Sequence, residues 1–166
     1  QVGAEYVILP KTLDFEKIST TEIIQYIKSP VEVPLRVDFA GGWLDVPKFS
    51  RVGGHIVNCA ISPTVSIRDW GYEIGGGLGG SAAYALLMGK NSVQSELDLG
   101  VGWQDPAVIK ETGLCVWKSG QTPKLDFKTN GAWLEGKMAL LWTGKNHVTY
   151  EKTDLSRDFE MIFEAG

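Results

Sequence analysis

A run of glycines followed at once by a serine and a helix-forming segment is the part of this sequence best suited to binding an anion. Five of the six residues from Gly75 to Gly80 are glycine, and Ser81 opens the run SAAYALLM. Glycine adopts positive φ and lets successive backbone N–H groups converge on a ligand. A helix N-terminus points its N–H groups and its positive dipole end at whatever precedes it. The pattern predicts a phosphate-binding loop; the alternative is a flexible loop that merely precedes a helix.

This loop resembles the second motif of the GHMP small-molecule kinases, which reads Gly-x-Gly-Leu-Gly/Ser-Ser-Ser-Ala. The resemblance implies that ATP phosphates are bound by Gly75, Gly76, Gly77, Leu78, Gly79, Gly80 and Ser81. It also implies that Ser81 binds the Mg²⁺ ion of MgATP. Gly80 departs from the family, because it replaces the first serine of the family pair. The loop is not a Walker A motif, since no Gly-Lys-Ser/Thr follows it.

A second chemical feature is the segment VEVPLRVDFAGGWLD at residues 31–45. Its apolar residues alternate from Val33 to Phe39, which predicts a half-buried strand. Local physics alone makes Arg36 and Asp38 a solvated pair on the exposed face of that strand. The Gly-Gly turn that follows predicts a sharp change of direction that brings Trp43 and Asp45 to a surface.

The same segment is similar to the first GHMP motif in its sugar-kinase form, closest to heptose and fucose kinases, which read Arg-x-x-x-Ala-Gly-Gly-x-Thr/Ser-Asp. The resemblance implies that Arg36 lies near the transferred phosphate and that Asp45 hydrogen-bonds sugar hydroxyls. Gly42 and Trp43 belong to the same implied substrate site. Leu44 stands where the family has Thr or Ser.

The third feature is the sequence GWQDP at residues 102–106. An aspartate before proline favours a helix N-cap at Asp105 with Pro106 in the first helical position. The stretch also resembles the Gly-Trp-Gln-Asp of fucokinases, which implies that Asp105 is the catalytic base facing the substrate hydroxyl. We predict a loop for the preceding residues 95–102, where helical periodicity is poor.

Composition restricts the function classes. The chain has 166 residues, a formal net charge of −4 and 43% hydrophobic residues, so it is typical of a globular domain without a basic surface for nucleic acid. No apolar run reaches the roughly 20 residues of a membrane span. Two cysteines and two histidines stand apart from one another and predict no metal cluster. These features indicate reduced cysteines in a cytoplasmic protein that binds neither membrane nor nucleic acid.

The remaining chain supplies the elements around these motifs. Residues 5–9 predict a strand, and Ser19 to Glu22 form a capping box at the start of a short helix. Within residues 1–30, the segments ILPKT at 8–12 and ISTTEII at 18–24 resemble the tail of a cytidylyltransferase-type nucleotidyltransferase. Further strands are expected at 53–61, 65–70, 114–117, 123–127 and 138–144. The tryptophans expected in the core are Trp117, Trp133 and Trp142.

Together these resemblances predict an α+β fold of the ribosomal-protein-S5 domain-2 type, a mixed sheet with helices on one face. Residues 1–30 would be a leader, and residues 31–166 a shortened GHMP kinase N-terminal domain without the second domain that carries the third motif. The implied function is MgATP-dependent phosphorylation of a sugar, at the anomeric hydroxyl of a heptose or fucose, in nucleotide-sugar synthesis. The alternative is a non-catalytic relative that binds a sugar or a protein. Apolar surface left uncovered would then predict a homodimer or a partner in place of the C-terminal domain.

Overall fold

The computed structural model describes residues 19–69, 77–141, 144 and 158–166. These residues form a mixed α and β protein with one four-stranded sheet and five α-helices. The strands are β1 (Glu32–Ala40), β2 (His55–Ser66), β3 (Leu114–Lys118) and β4 (Leu125–Thr129). The helices are α1 (Thr20–Ile27), α2 (Gly80–Leu87), α3 (Ser92–Asp98), α4 (Gln104–Glu111) and α5 (Phe159–Ala165). The strand expected at residues 5–9 lies outside the described residues.

The sheet has the order β1-β2-β3-β4, and every neighbouring pair is antiparallel. The prediction of a mixed sheet is therefore wrong for the described strands. Helices α2 to α4 lie between β2 and β3 in the chain, yet these two strands run in opposite directions, so no parallel crossover forms. The strand expected at 65–70 is also not separate, because Val65 and Ser66 end β2 and pair with Val33 and Glu32 of β1.

Two apolar clusters attach the helices to the sheet. One joins β1 to α2 and α4 through Val33, Leu35, Ala82, Ala83, Leu86, Leu87 and Ile109. The other joins β2 and β3 to α4 and the loops through Leu44, Ile56, Trp103, Ala107, Val108, Cys115 and Trp117. Because α4 contributes to both clusters, it packs against β1 through the first cluster and against β2 and β3 through the second.

The tryptophan predictions had mixed outcomes. Trp117 is buried, as expected, whereas Trp133 is 58% exposed in a short 3-10 turn that follows the edge strand β4. Trp142 lies outside the described residues. Trp103 was expected only as part of a functional motif, yet it is fully buried and its indole N–H donates to the carbonyl of Gly120 at 2.8 Å.

Two helices illustrate what local sequence can reveal. The capping box of α1 is confirmed, since Ser19 accepts from the Glu22 N–H and Glu22 accepts from the Ser19 N–H. The loop expected at 95–102 is wrong over its first part, because α3 runs from Ser92 to Asp98 with Asn91 as N-cap. The buried face of α3 carries the polar residues Ser92 and Glu96. An apolar periodicity was therefore absent.

The end of the described chain departs from expectation. Residues 138–141 form no strand, and Met138, Leu140 and Leu141 are exposed. In the ranges that the structure describes, no helix has both the length and the apolar character needed to cross a membrane.

Candidate active site

The glycine loop approaches β1 through three consecutive residues in the left-handed region. Gly77, Leu78 and Gly79 have φ values of 64°, 50° and 76°, so the positive φ predicted for this loop is confirmed at these residues, whereas Gly80 is the first residue of α2. Gly75 and Gly76 lie outside the described residues. Gly79 is the N-cap of α2, and the carbonyl of Leu78 accepts a hydrogen bond from the Arg36 N–H at 2.9 Å. The N-terminus of α2 is thereby tied to β1.

Arg36 and Asp105 form a two-pronged ion pair between β1 and α4. The guanidinium donates through Nε to Oδ1 at 2.6 Å and through Nη2 to Oδ2 at 2.8 Å. Its Nη1 lies 3.1 Å from Oδ2 of Asp38. The side chains of Arg36 and Asp105 are only 19% and 14% exposed. The expected pair of Arg36 and Asp38 forms, but it is not fully solvated, because Arg36 also binds Asp105 at the start of α4, whereas the Asp38 side chain remains 29% exposed.

The charges of this group depend on one another. Burial by itself lowers the pKa of Arg36, but the carboxylates of Asp105, Asp38 and Asp45 reverse that effect, so its pKa is raised overall. Burial raises the pKa of Asp38 to about 6, with Arg36 opposing the rise and Asp105 adding to it. Arg36 is therefore the cation that compensates a cluster of partly buried carboxylates.

The three predicted motifs meet at Gly79. A Cβ placed on this residue would lie 2.9 Å from Cγ of Arg36 and 3.5 Å from Oδ2 of Asp105. A side chain at this position would have to shift the stem of Arg36 and would be strained at a φ of 76°. The structure thus brings the described part of the glycine loop, Arg36 and Asp105 into one site.

Ser81 lies in the first turn of α2 and is buried against α3. Burial raises the pKa of the Glu96 carboxyl to about 7, and a hydrogen bond from Ser81 opposes that rise. Oε1 of Glu96 is buried without a hydrogen-bond partner. Both residues line a cavity of about 200 Å³ between α2 and α3. Sequence reasoning missed Glu96, because nothing in its polar neighbourhood distinguishes it from a solvated glutamate.

Asp105 is not the N-cap of α4, as its sequence neighbours had suggested. The helix begins at Gln104, two residues before the first helical position expected at Pro106, and Asp105 is its second residue. The N–H of Gln104 instead donates to Oδ2 of Asp45 at 2.9 Å, and the Gln104 amide donates to Oδ1 at 3.3 Å. Asp45 therefore caps α4 from a distant loop, and the Asp105 side chain stays available to Arg36.

The residues predicted to contact substrate lie beside this cap. Asp45 is 1% exposed, and a Cβ on Gly102 would overlap its carboxylate. An ideal Cβ on Gly42 would lie 3.8 Å from Nε2 of Gln104. Trp43 is half-buried at a φ of 82°, with its ring 6.4 Å from that of Phe49. The prediction that the Gly-Gly turn brings Asp45 to a surface is therefore wrong, because its carboxylate is buried at the start of α4. Its contact with a sugar stays a prediction.

A buried chain of hydrogen bonds extends from this cap to the sheet. The Gln104 side chain accepts from Nδ2 of Asn58 at 3.4 Å, and Oδ1 of Asn58 accepts from the Trp117 indole at 2.9 Å. Asn58 is fully buried. This chain connects β2 and β3 to the start of α4, so the position of Asp105 depends on the sheet.

Burial raises the pKa of Asp45 to about 7, with the Gln104 N–H opposing the rise and Asp105 adding to it. The folded chain then keeps a proton on Asp45 that the unfolded chain releases near pH 4. Because the folded state binds more protons in this window, the free energy of unfolding falls as the pH rises from about 4 to about 7.

We expect Asp45→Asn to flatten this pH dependence. An asparagine keeps an oxygen for the Gln104 N–H but carries no charge. The free energy of unfolding of the variant, relative to that of wild type, should rise by about 1–3 kcal/mol between pH 5 and pH 8. Urea unfolding at a series of pH values measures this difference. The matched control is Asp69→Asn, which changes an exposed carboxylate in the turn that follows β2. Parallel pH profiles for wild type and Asp45→Asn would contradict the prediction.

The described residues contain no group of three or more metal-ligating His, Cys, Asp or Glu side chains. No protein-family model matches the chain, and the searches of curated proteins and of solved structures found no match either.

Proposed function

We propose that this chain belongs to an ATP-dependent sugar kinase of the GHMP type, which phosphorylates a sugar hydroxyl in nucleotide-sugar synthesis. The expected acceptor is the anomeric hydroxyl of a heptose or fucose. The observation that carries the proposal is the meeting of the glycine loop, Arg36 and Asp105 around Gly79. Residues 36, 79 and 105 are far apart in the sequence, yet together they supply a cation, a phosphate-binding loop and a carboxylate, which are the kinds of group that phosphoryl transfer uses.

Asp105 acts as the base in the proposed reaction. Its carboxylate takes the proton of the sugar hydroxyl while the hydroxyl oxygen forms a bond to the γ-phosphorus, and the bond from that phosphorus to the β-phosphate oxygen breaks to release ADP. Arg36 carries five N–H donors, of which three engage Asp105 and Asp38. The others are suited to a phosphoryl oxygen, where the guanidinium offsets developing negative charge.

Mg²⁺ fits the groups beside α2. The hydroxyl of Ser81 and the unpartnered Oε1 of Glu96 are oxygen donors in one cavity. Mg²⁺ keeps several waters and needs only one or two protein ligands besides the nucleotide phosphates. When bound, the ion neutralises charge on the phosphates, and Ser81 and Glu96 would hold it at the start of α2.

Calorimetric titration with MgATP tests the phosphate site directly. We expect Ser81→Ala to weaken MgATP binding by about 10-fold, since one oxygen ligand and its hydrogen bond are lost. Ser66→Ala, at the end of β2, removes a hydroxyl elsewhere and should leave the affinity unchanged. Wild-type protein that fails to bind MgATP, or equal affinities for the two variants, would refute the role of the loop.

A second function has its own support. Both oxygens of Asp105 are engaged by Arg36, and both oxygens of Asp45 are engaged by Gln104. These contacts suit a non-catalytic domain that binds a sugar or a protein. Titration with fucose and with a heptose, followed by measurement of ADP release with MgATP present, separates the two functions. Sugar binding without ADP release favours the second.

A further inference from the structure

Helix α5 packs against the loop that joins β1 to β2. This loop, residues 41–54, is the substrate loop, because it carries the residues predicted to contact a sugar. Phe159, Ile162 and Phe163 are the half-buried residues of α5. Their spacing of three and four positions places them on one face of the helix. Ile162 and Phe163 pack against the apolar cluster that contains Leu44 of the substrate loop.

A row of three aromatic rings connects α5 to Trp43. Phe159 stacks on Phe49, with the ring centroids 4.2 Å apart and the planes inclined by 27°. Phe49 in turn contacts Trp43, with the centroids 6.4 Å apart and the planes inclined by 60°. Both arrangements are favourable geometries for aromatic pairs. The position of Phe159 therefore affects that of the indole through Phe49.

The same helix contacts both ends of the substrate loop. A Cβ on Gly54 would lie 3.1 Å from two ring atoms of Phe163. A Cβ on Gly166, which follows α5, would lie 3.0 Å from Cα of Gly41. Helix α5 and the residue after it thus contact the loop where it begins, where it ends and at Phe49.

The backbone of Trp43 needs such support. Its φ of 82° lies in a region that bulky side chains rarely adopt. A conformation of this kind persists only where the surrounding contacts hold it. The Val46 N–H donates to the Trp43 carbonyl at 3.1 Å, and the Phe49 N–H donates to the Val46 carbonyl at 2.8 Å. A shift of Phe49 is therefore transmitted to Trp43 through the backbone as well as through the rings.

Helix α5 is attached less firmly than the helices of the core. None of its residues is buried. Its ion pair with the substrate loop, Glu160 with Arg51, is 73% exposed at the glutamate side chain. Elements with few buried contacts open at a lower free energy than the whole domain. Helix α5 can therefore leave the loop while the sheet and α4 remain folded.

We infer that α5 is a strap that holds the substrate loop, and that Phe159 is a positioning residue that acts on Trp43 through Phe49. This role rests on the proposed function, because it requires a sugar at Trp43, and it makes sugar affinity dependent on the docking of α5. The contacts of α5 with the substrate loop involve neither the glycine loop nor Ser81. MgATP affinity is therefore independent of α5.

Calorimetric titration and steady-state ADP release test this role with whichever sugar, fucose or a heptose, the wild-type chain binds more tightly. Phe159→Ala should weaken sugar binding and raise its KM by about 3- to 10-fold, the scale of one lost ring contact. The value of kcat and the MgATP affinity should stay within about 2-fold of wild type. Phe159→Tyr keeps the ring and should restore the sugar affinity. Met161→Ala, which removes a 66% exposed side chain from the other face of α5, is the matched control.

Amide hydrogen exchange of the unmutated chain measures the same coupling without a variant. Because a coupling between two events acts in both directions, a saturating sugar concentration should slow exchange across residues 159–166. Equal rates with and without sugar would overturn the role of α5. Faster exchange with sugar would mean that α5 competes with the sugar, which also overturns it.

The wild-type titration separates the two ways in which these ideas can fail. If wild type and Phe159→Ala bind the sugar equally well, Phe159 has no positioning role and the proposed function stands. If Met161→Ala weakens binding as much as Phe159→Ala does, the effect is a general loss of stability, and the positioning role is again refuted. A wild-type chain that binds no sugar refutes the proposed function and the role of α5 together.

Discussion

Replacing Arg36 by methionine should lower the free energy of unfolding by about 3–5 kcal/mol, the range for removing one partner of a buried ion pair. Methionine retains an apolar stem against Gly79, so the loss of stability measures the effect of removing the guanidinium charge. Asp105 and Asp38 would then be left partly buried without the guanidinium that now contacts both. Urea unfolding at pH 7 measures the difference.

A matched control for Arg36 is Arg51, which pairs with Glu160 at 2.7 Å on the surface. Arg51→Met should cost at most about 1 kcal/mol, since exposed ion pairs contribute little. Adding Asp105→Asn to Arg36→Met should recover part of the lost stability, because it removes the uncompensated charge. If Arg36→Met and Arg51→Met are equally stable, the ion pair does not hold β1 and α4 together.

Asp105→Asn should reduce phosphoryl transfer to the sugar by about 10²- to 10⁴-fold, the usual contribution of a general base. An asparagine oxygen still accepts from Arg36, so the start of α4 should keep its position. MgATP affinity should change little, since the loss falls on kcat rather than on nucleotide binding. Steady-state ADP release with fucose or a heptose as acceptor provides the measurement.

Asp38→Asn is the control for the catalytic role. Asp38 also contacts Arg36 but through a single pair of atoms at 3.1 Å. The Asp38→Asn variant should retain most of the transfer rate. An Asp105→Asn enzyme within about 3-fold of wild type would rule out this residue as the base. A wild-type chain that binds sugar but releases no ADP would favour the non-catalytic function.

Features that depend on neighbouring residues were predictable. The capping box at Ser19 and Glu22 is a hydrogen-bond pattern over three residues, and it forms as expected. Positive φ at Gly77 and Gly79 follows from the conformational freedom of glycine. The alternation from Val33 to Phe39 placed β1 within one residue at each end. The resemblance to the GHMP kinases indicated three motifs, and the structure brings the described parts of these motifs together at Gly79.

Features that depend on partners far along the chain were not predictable from local patterns. Asp105 and Pro106 have the residue types of an N-cap and a first helical turn, yet α4 begins at Gln104 because Asp45 accepts its N–H. Helix α3 was missed because its buried positions are polar. Trp133 was expected in the core, but it lies in the 3-10 turn after β4 and is 58% exposed.

The sequence by itself determined which backbone conformations were accessible: a glycine turn before a helix, an alternating strand and a capped helix start. Each of these arises from interactions within a few residues, so composition and spacing suffice to indicate it. The tertiary structure alone decided which charged side chains are buried and which residues they pair with. Arg36 and Asp105 are separated by 69 positions, and Asp45 and Gln104 by 59. Contacts at that separation form only when the sheet and α4 pack together, because desolvation and pairing of a charge depend on atoms that neighbouring residues cannot provide.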